Sequence, residues 1–251
     1  MVLTGQDTTH YGKDLSGKFM LSDLLQALSD ISGVDWIRIL YAYPLFVNER
    51  LINAIATTPK VCHYLDMPLQ HISDPILRSM KRGVGKQHTV NLIKQLRDQI
   101  PDLSLRTTFI VGYPGETDAQ FEELLEFMSE AKFERLGVFM YSQEEETPAG
   151  TMVNQISKKV KQKRFGRAME LQQKISKENN EKLLGKEMRV LIDQKSDGKP
   201  HHYLGRSYMD APEVDGMVLV RSTGKKLKPG DFVKVRINGA FEYDLTADSV
   251  S

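Results

Sequence analysis

The sequence has little of what marks secreted, membrane-spanning or strongly charged proteins. Its single cysteine, Cys62, excludes an internal disulfide and a four-thiolate zinc or iron–sulfur site built from this chain alone. No apolar run approaches the roughly 20 residues that a membrane span requires, and no secretory signal opens the sequence. The formal net charge is only +1, so no global attraction to nucleic acid or membrane is expected. These absences predict a soluble, cytoplasmic protein that does not bind membranes.

The most informative stretch that is present is residues 103–117, LSLRTTFIVGYPGET. Residues 107–111 are β-branched or aromatic without polar alternation, which is typical of a strand covered on both faces in a parallel sheet. Gly112 and Gly115, with a proline between them, end the strand. Residues 117–120 then form a capping box for an amphipathic helix. This is a βα unit, and the turn after such a strand is where α/β folds bind ligands.

Residues 1–156 repeat this plan. Strands are predicted near residues 1–3, 36–40, 61–65, 103–111 and 136–141, each followed by a polar turn with glycine or proline, and helices lie between them. Right-handed crossovers would gather the five turns on one rim. The polar residues pooled there would be Gly5, Gln6, Asp7, Tyr43, Gln70, His71, Glu116, Tyr141 and Ser142. Five units do not close an eight-stranded barrel, so either the sheet is open or a preceding piece is missing.

The composition changes after residue 156. Residues 157–183 are rich in lysine and arginine but keep a narrow apolar edge, which predicts a basic connecting helix packed on one side. Residues 184–251 contain five short strand patterns separated by turns. They predict a small antiparallel β-barrel of the OB type, a common platform for nucleic-acid or protein partners. The predicted fold is therefore α/β, a partial (β/α) barrel followed by a small β-barrel.

Several motifs, taken together and in this order, resemble those of the radical S-adenosylmethionine methylthiotransferases. They are TGQD at 4–7, YLDMPLQH at 64–71, residues 106–116, and FMYS at 139–142 with Thr147-Pro148. The carboxyl-terminal barrel resembles the TRAM domain of that family. Gly205-Arg206 followed by DAPEVDG at 210–216 resembles the RimO type, which adds a methylthio group to the β-carbon of an aspartate in small-subunit ribosomal protein twelve. The resemblance covers essentially the whole chain and implies an enzyme.

The resemblance also implies cofactors and the residues that hold them. The cofactors are S-adenosylmethionine and 4Fe–4S clusters. Residues 5–7 match the motif that receives the methionine amino group, and residues 110–112 with Glu116 match the strand that lies along the adenine. Gln70, His71 and Arg106 are weaker candidates on the rim, which could bond the ribose or the methionine carboxylate. The implied cofactor-binding residues are Gly5, Gln6, Asp7, Gln70, His71, Arg106, Ile110, Val111, Gly112 and Glu116.

Each of these residues also has a purely structural interpretation. The glycines of the turn could serve only the turn, His71 could be a polar residue that flanks a helix, and Arg106 could pair with a carboxylate at the barrel mouth.

The sequence departs from the family at its clusters. The family holds its radical-generating 4Fe–4S cluster through CxxxCxxC and a second cluster through three further cysteines, and neither set is present. We therefore expect the chain to be the carboxyl-terminal portion of the enzyme, without the first βα unit and the cluster loop. As such it would be inactive alone and would supply no catalytic or metal-binding residue.

The choice of substrate is predicted from the barrel. Basic and acidic residues are nearly balanced between residues 184 and 251, and Asp210, Glu213 and Asp215 cluster in one loop. An acidic loop suits a basic ribosomal protein better than a tRNA backbone, so these three residues are predicted to bind substrate. The lysine-rich helix is also compatible with ribosomal RNA as a second partner. The protein is expected to be a monomer. Two alternatives remain: a tRNA-modifying methylthiotransferase, and a non-catalytic ribosome-associated adaptor.

Overall fold

The first of two compact units contains an open parallel sheet. The computed structural model describes residues 1–196, 202–224 and 226–250, and the chain divides into residues 1–172 and 173–251. The strands of the first unit are β1 (Val2–Leu3), β2 (Ile37–Ile39), β3 (Val61–Asp66), β4 (Ser104–Val111) and β5 (Arg135–Met140). They lie side by side in chain order, and every pairing is parallel. All five strands therefore end at the same edge of the sheet.

Helices occupy the connections between these strands, as parallel pairing requires. They are α1 (Lys13–Ser16), α2 (Leu21–Ser29), α3 (Glu49–Thr57), α4 (Asp74–Ser79), α5 (Lys86–Gln99) and α6 (Asp118–Ala131), with short 3-10 turns at Thr8–His10 and Pro44–Phe46. The predicted capping box is confirmed: the Gln120 amide N–H donates to Thr117 Oγ1 (3.2 Å), and the Thr117 amide N–H donates to Gln120 Oε1 (2.9 Å). The sequence thus predicted the start of α6 correctly.

Strand β4 is buried more on one face than on the other. Phe109 is fully buried, and its ring lies 6.2 Å from that of Phe127 and 5.9 Å from that of Phe133, both edge-on. The residues of the opposite face, such as Thr108 and Ile110, are only half-buried. The sequence predicted a strand covered on both faces; one face of β4 is buried, and the other is mostly half-buried.

The long helix α7 (Lys158–Glu181) follows, and the boundary between the two units falls within it. Six of its residues are buried, on one face of the helix: Arg164, Ala168, Gln172, Ile175, Ser176 and Asn180. This face is the stripe of a helix packed on one side. Four of its six members are polar, however, so apolar residues alone did not mark it.

The second unit contains a closed five-stranded barrel formed by β6 (Glu187–Lys195), β7 (His202–Arg206), β8 (Val218–Arg221), β9 (Phe232–Ala240) and β10 (Leu245–Ser249). Four neighbouring pairs are antiparallel, but β8 and β10 pair in parallel. The expected barrel is confirmed with this correction. Because β9 lies against β6 rather than β8, the last strand closes the barrel against a strand of its own direction.

Valine and isoleucine fill the barrel, and one glycine of the RimO-like motif is explained by its packing. Val190, Val218, Val220 and Val235 are all 0 % exposed. At Gly205 an added Cβ would lie 2.4 Å from the Leu191 carbonyl oxygen, so only glycine lets β7 lie this close to β6. Within the described residues of both units, no helix is long and apolar enough to cross a membrane.

Candidate functional site

The carboxyl ends of the five strands form one continuous rim. Backbone hydrogen bonds connect each strand end to the next: Thr8 N–H to Tyr41 O (3.0 Å), Ala42 N–H to Asp66 O (2.8 Å), Met67 N–H to Arg106 O (2.8 Å) and Tyr141 N–H to Val111 O (2.9 Å). The structure thus gathers the five turns at one edge, as the sequence predicted.

A cavity of about 400 Å³ opens at this rim. It is lined by Gln70, Ile110, Tyr113 and Tyr141, together with residues 79–82 and 147–149. Gln70 Oε1 and the Tyr141 hydroxyl are buried and have no hydrogen-bond partner among the described residues. A buried polar group without a hydrogen-bond partner costs free energy. A ligand with polar groups would provide the missing partners. The lining suits a small molecule with both an apolar ring and polar groups.

Gln70 is fixed by an unusual backbone conformation. Its φ is +71°, in the left-handed region that non-glycine residues rarely adopt. Its N–H donates to Thr108 O (2.9 Å) and its carbonyl accepts from Ile110 N–H (2.8 Å), so β4 holds the residue on both sides. Such strain persists where the surrounding structure determines it, and it is frequent at ligand sites. The side chain of Gln70 is consequently presented to the cavity from a rigid position.

Two further rim groups are already engaged with other parts of the protein. Arg106 forms an ion pair with Asp66 (Nη1 to Oδ1, 2.7 Å), and the second oxygen of Asp66 accepts from Tyr41 N–H (3.0 Å). This is the structural role that was left open for Arg106. The guanidinium of Arg82 lies 4.5 Å from the centroid of the Tyr43 ring, and its Nη2 donates to Pro68 O (2.8 Å). Burial lowers the pKa of Arg82.

His71, Gly112 and Glu116 meet in one buried network beside the cavity. His71 Nδ1 accepts from Ser73 N–H (3.0 Å), so in the neutral ring the proton is on Nε2, which lies 3.7 Å from Glu116 Oε1. The other oxygen of Glu116 accepts from the Gly112 amide. Both side chains, His71 and Glu116, are 0 % exposed. Because the side chain of Glu116 is buried and bonded to the turn, a contact between Glu116 and a cofactor would use the backbone of the turn.

The remaining predicted cofactor residues differ in how open they are. Gly5 and Gln6 are exposed, and an added Cβ at Gly5 would meet nothing within 4 Å. The Asp7 carboxylate caps the turn Thr8–His10, accepting from Thr9 N–H (3.0 Å), and its other oxygen lies 2.7 Å from His10 Nδ1. Val111 is fully buried in the core. Cofactor binding by this set stays a prediction.

Three residues for which the sequence predicted no role form hydrogen bonds here: Arg164 and Asn154 bond the turn at 112–116, and Lys161 bonds the residue that follows β5. Arg164 Nη1 donates to Glu116 O (3.0 Å), and Lys161 Nζ donates to Tyr141 O (2.8 Å). The carbonyl of Asn154 accepts from Gly115 N–H (2.9 Å). The sequence signal that could have identified Arg164 was its position, because it lies on the same helical stripe as the buried Ala168 and Ile175.

The acidic loop of the second unit requires a correction. Asp210 is 1 % exposed, and its carboxylate accepts from Ser207 N–H (3.2 Å) and Ser207 Oγ (2.7 Å). Asp215 is half-buried and accepts from Ala211 N–H (2.8 Å). Asp210 therefore satisfies the donors of its own loop, as short acidic side chains commonly do, and does not present its charge on the surface. Substrate binding stays a prediction, now centred on the exposed Glu213.

These features define the class of protein. Residues 1–128 match the model of the Radical SAM superfamily, and residues 184–250 match that of the TRAM domain. Coproporphyrinogen III oxidase (HemN) from Escherichia coli shares the fold with a TM-score of 0.51 at 18 % identity, over 62 % of this chain and 36 % of that one. The chain belongs to the Radical SAM superfamily.

Curated relatives of the chain narrow this class. Proteins named ribosomal protein uS12 methylthiotransferase RimO are 51 % identical over 248 residues in Desulforamulus reducens and 49 % identical over 250 residues in Pelotomaculum thermopropionicum. The alignments cover 99 % and 100 % of this chain and 56 % of each relative. The resemblance to the RimO type is thereby confirmed, and the chain spans about half the length of the curated relatives it matches.

An iron–sulfur cluster, which this family implies, does not fit the residues present. Cys62 is the only cysteine and is buried in β3. Among residues 1–196, 202–224 and 226–250, no group of three or more histidine, cysteine, aspartate or glutamate side chains could hold a metal ion. Ligands for such a cluster would have to come from residues outside this sequence.

Proposed function

We propose that this chain provides the S-adenosylmethionine pocket and the substrate-binding barrel of a methylthiotransferase that modifies ribosomal protein uS12 in the cytoplasm. The target, by the family resemblance, is the β-carbon of an aspartate. The observation that carries the proposal is the rim cavity, because Gln70 and Ile110 belong to two different family motifs and line the same space. The names of the relatives support the choice of substrate.

The lining of the cavity suits S-adenosylmethionine in its chemistry. Gln70 Oε1 would accept a hydrogen bond from a ribose hydroxyl or an amine, and the Tyr141 hydroxyl could donate or accept. Ile110 and Tyr113 offer apolar surface to the adenine ring. The exposed backbone at Gly5 and Gln6 would receive the methionine ammonium group through carbonyl oxygens. These residues bind and orient the molecule and exclude water from it.

The cofactor chemistry in this family is removal of hydrogen from an unactivated carbon and supply of the methyl group. The residues of this chain contribute to that chemistry by binding and orienting S-adenosylmethionine.

The pocket is tested by calorimetric titration of the 251-residue chain with S-adenosylmethionine. Gln70→Leu removes the buried acceptor and should weaken binding about tenfold, the cost of one unpaired polar group. Gln99→Leu is the matched control, because Gln99 is exposed at the end of α5 and lies outside the cavity lining. Equal affinities of the Gln70→Leu variant and the unmodified chain would place the cofactor elsewhere.

The substrate is tested by binding to purified uS12 and to tRNA between 50 and 200 mM salt. We expect binding to uS12 that Glu213→Lys weakens, because reversing an exposed acidic charge repels a basic partner. Glu145→Lys makes the same charge change on an exposed residue of the first unit and should have no effect. Tight tRNA binding that falls steeply with salt would favour the tRNA-modifying alternative. Binding of uS12 without any S-adenosylmethionine binding would favour the adaptor.

A further inference from the structure

Arg164 is a charged side chain at a buried position of α7. It extends from α7 with 6 % of its side chain exposed, on the stripe that also buries Ala168 and Ile175. Burying a guanidinium costs several kcal/mol of desolvation unless ion pairs and hydrogen bonds compensate. An apolar residue at this position would fill the same stripe without that cost. The contacts of Arg164 therefore indicate what its charge does.

Those contacts concentrate on the turn at 112–116. Nη1 donates to the Glu116 carbonyl (3.0 Å) and lies 3.3 Å from Glu116 Oε2, while Nη2 bonds Asp118 Oδ1 (2.7 Å). One guanidinium thus bridges the end of the turn and the first residue of α6. The planar, always-charged fork of arginine suits this arrangement, and lysine would supply only a point charge.

The pairing with Glu116 extends to the rest of the turn. Glu116 Oε2 is also the acceptor for the Gly112 amide, so the carboxylate that Arg164 neutralises is the group that closes the turn. Tyr113 lies between these two residues, lines the cavity, and donates through its hydroxyl to Ser79 O (3.2 Å). A shift of Glu116 would therefore move a wall of the cavity.

We propose that Arg164 is a positioning residue for cofactor binding, which acts through Glu116 to hold the turn at 112–116 against the cavity. This inference rests on the proposed function, because the cavity must be the S-adenosylmethionine pocket for the positioning to matter. Within the described part of the chain, the hydrogen bonds and ion pairs of Arg164 go to Glu116 and Asp118, which are not part of the cavity lining, so its effect on binding is indirect.

The test compares Arg164→Met with Arg167→Met in the full 251-residue chain. Arg167 is the matched control because it lies on the same helix and pairs with the exposed Glu122 (2.8 Å). The guanidinium groups of Arg164 and Arg167 lie 5.6 Å and 5.3 Å from the centroid of the Phe121 ring. Two quantities are measured: amide hydrogen exchange of peptides covering residues 110–118, and S-adenosylmethionine affinity by calorimetry. Fluorescence of Trp36, the only tryptophan, verifies that each variant is folded.

We expect Arg164→Met to speed exchange at 112–116 about tenfold and to weaken S-adenosylmethionine binding about tenfold, because the buried Glu116 carboxylate loses its ion-pair partner but keeps the Gly112 amide as a donor. Arg167→Met should change neither quantity. If Arg164→Met does not fold, Arg164→Lys, which keeps the charge but loses the fork, should show the same changes at smaller size. Unchanged exchange at 112–116 in a folded Arg164 variant would overturn the inference.

The two proposals fail in different ways. If the unmodified chain binds no S-adenosylmethionine, the proposed pocket is wrong, whatever Arg164 does to exchange. If the unmodified chain binds it and Arg164→Met loosens the turn without weakening binding, the pocket stands and the positioning role is refuted.

Discussion

Gly112 joins β4 to the turn, and replacing it with alanine should destabilise the first unit more than its backbone conformation alone requires. Its φ is +73°, where an alanine costs roughly 1–2 kcal/mol. An added Cβ would also lie 2.4 Å from Lys161 Cγ, well inside ordinary contact, and overpacking of this kind costs about 1–3 kcal/mol. The expected loss for Gly112→Ala is therefore about 2–5 kcal/mol.

Gly17 offers a control with the same backbone conformation. Its φ is also +73°, but an added Cβ meets nothing within 4 Å, so Gly17→Ala should cost only about 1–2 kcal/mol. Urea unfolding is followed by the fluorescence of Trp36, which lies in the first unit and reports on that unit alone.

A double-mutant cycle assigns the difference to Lys161. Lys161→Ala removes the Cγ atom but leaves its Cβ 3.2 Å from the added methyl group, so it should recover most of the extra loss in Gly112→Ala. If Gly112→Ala costs no more than Gly17→Ala, Lys161 moves aside freely, and the close packing of α7 on the turn has no energetic consequence.

Two further predictions concern the stability of each unit. Lys234 and Arg236 hold the pKa of Glu187 below its usual value, so its contribution to barrel stability is present above about pH 4.3 and is lost as the pH falls through the lower folded-state pKa. Glu187→Gln should therefore melt earlier than the unmodified chain at pH 7, and this difference should shrink as the pH falls below about 4.3, as followed by circular dichroism; a difference in melting temperature that does not change with pH would contradict this. Thr117→Ala should destabilise the first unit by about 1 kcal/mol in urea because it removes the cap of α6, whereas Thr117→Ser keeps the hydroxyl and should lose much less.

The sequence by itself determined the order and type of the elements. Local patterns carried this information: β-branched runs predicted β4, the capping box predicted the start of α6, and short strands between turns predicted the barrel. The motifs identified the family. They also indicated Gln70 and Ile110 as site residues, since both lie at strand ends that a parallel sheet brings together at one edge. These signals act over a few residues or follow from the topology of parallel strands, so they can be read along the chain.

Only the tertiary structure decided what each polar side chain does. The sequence treated Asp210 as a surface charge and did not single out Arg164, yet both are buried and bonded to backbone atoms. The partners of Arg164 are about 48 residues away along the chain, a separation over which no periodicity or motif specifies a contact. Whether a charge faces water or another residue depends on how distant segments pack, because the cost of burying it is offset only by partners that folding brings together.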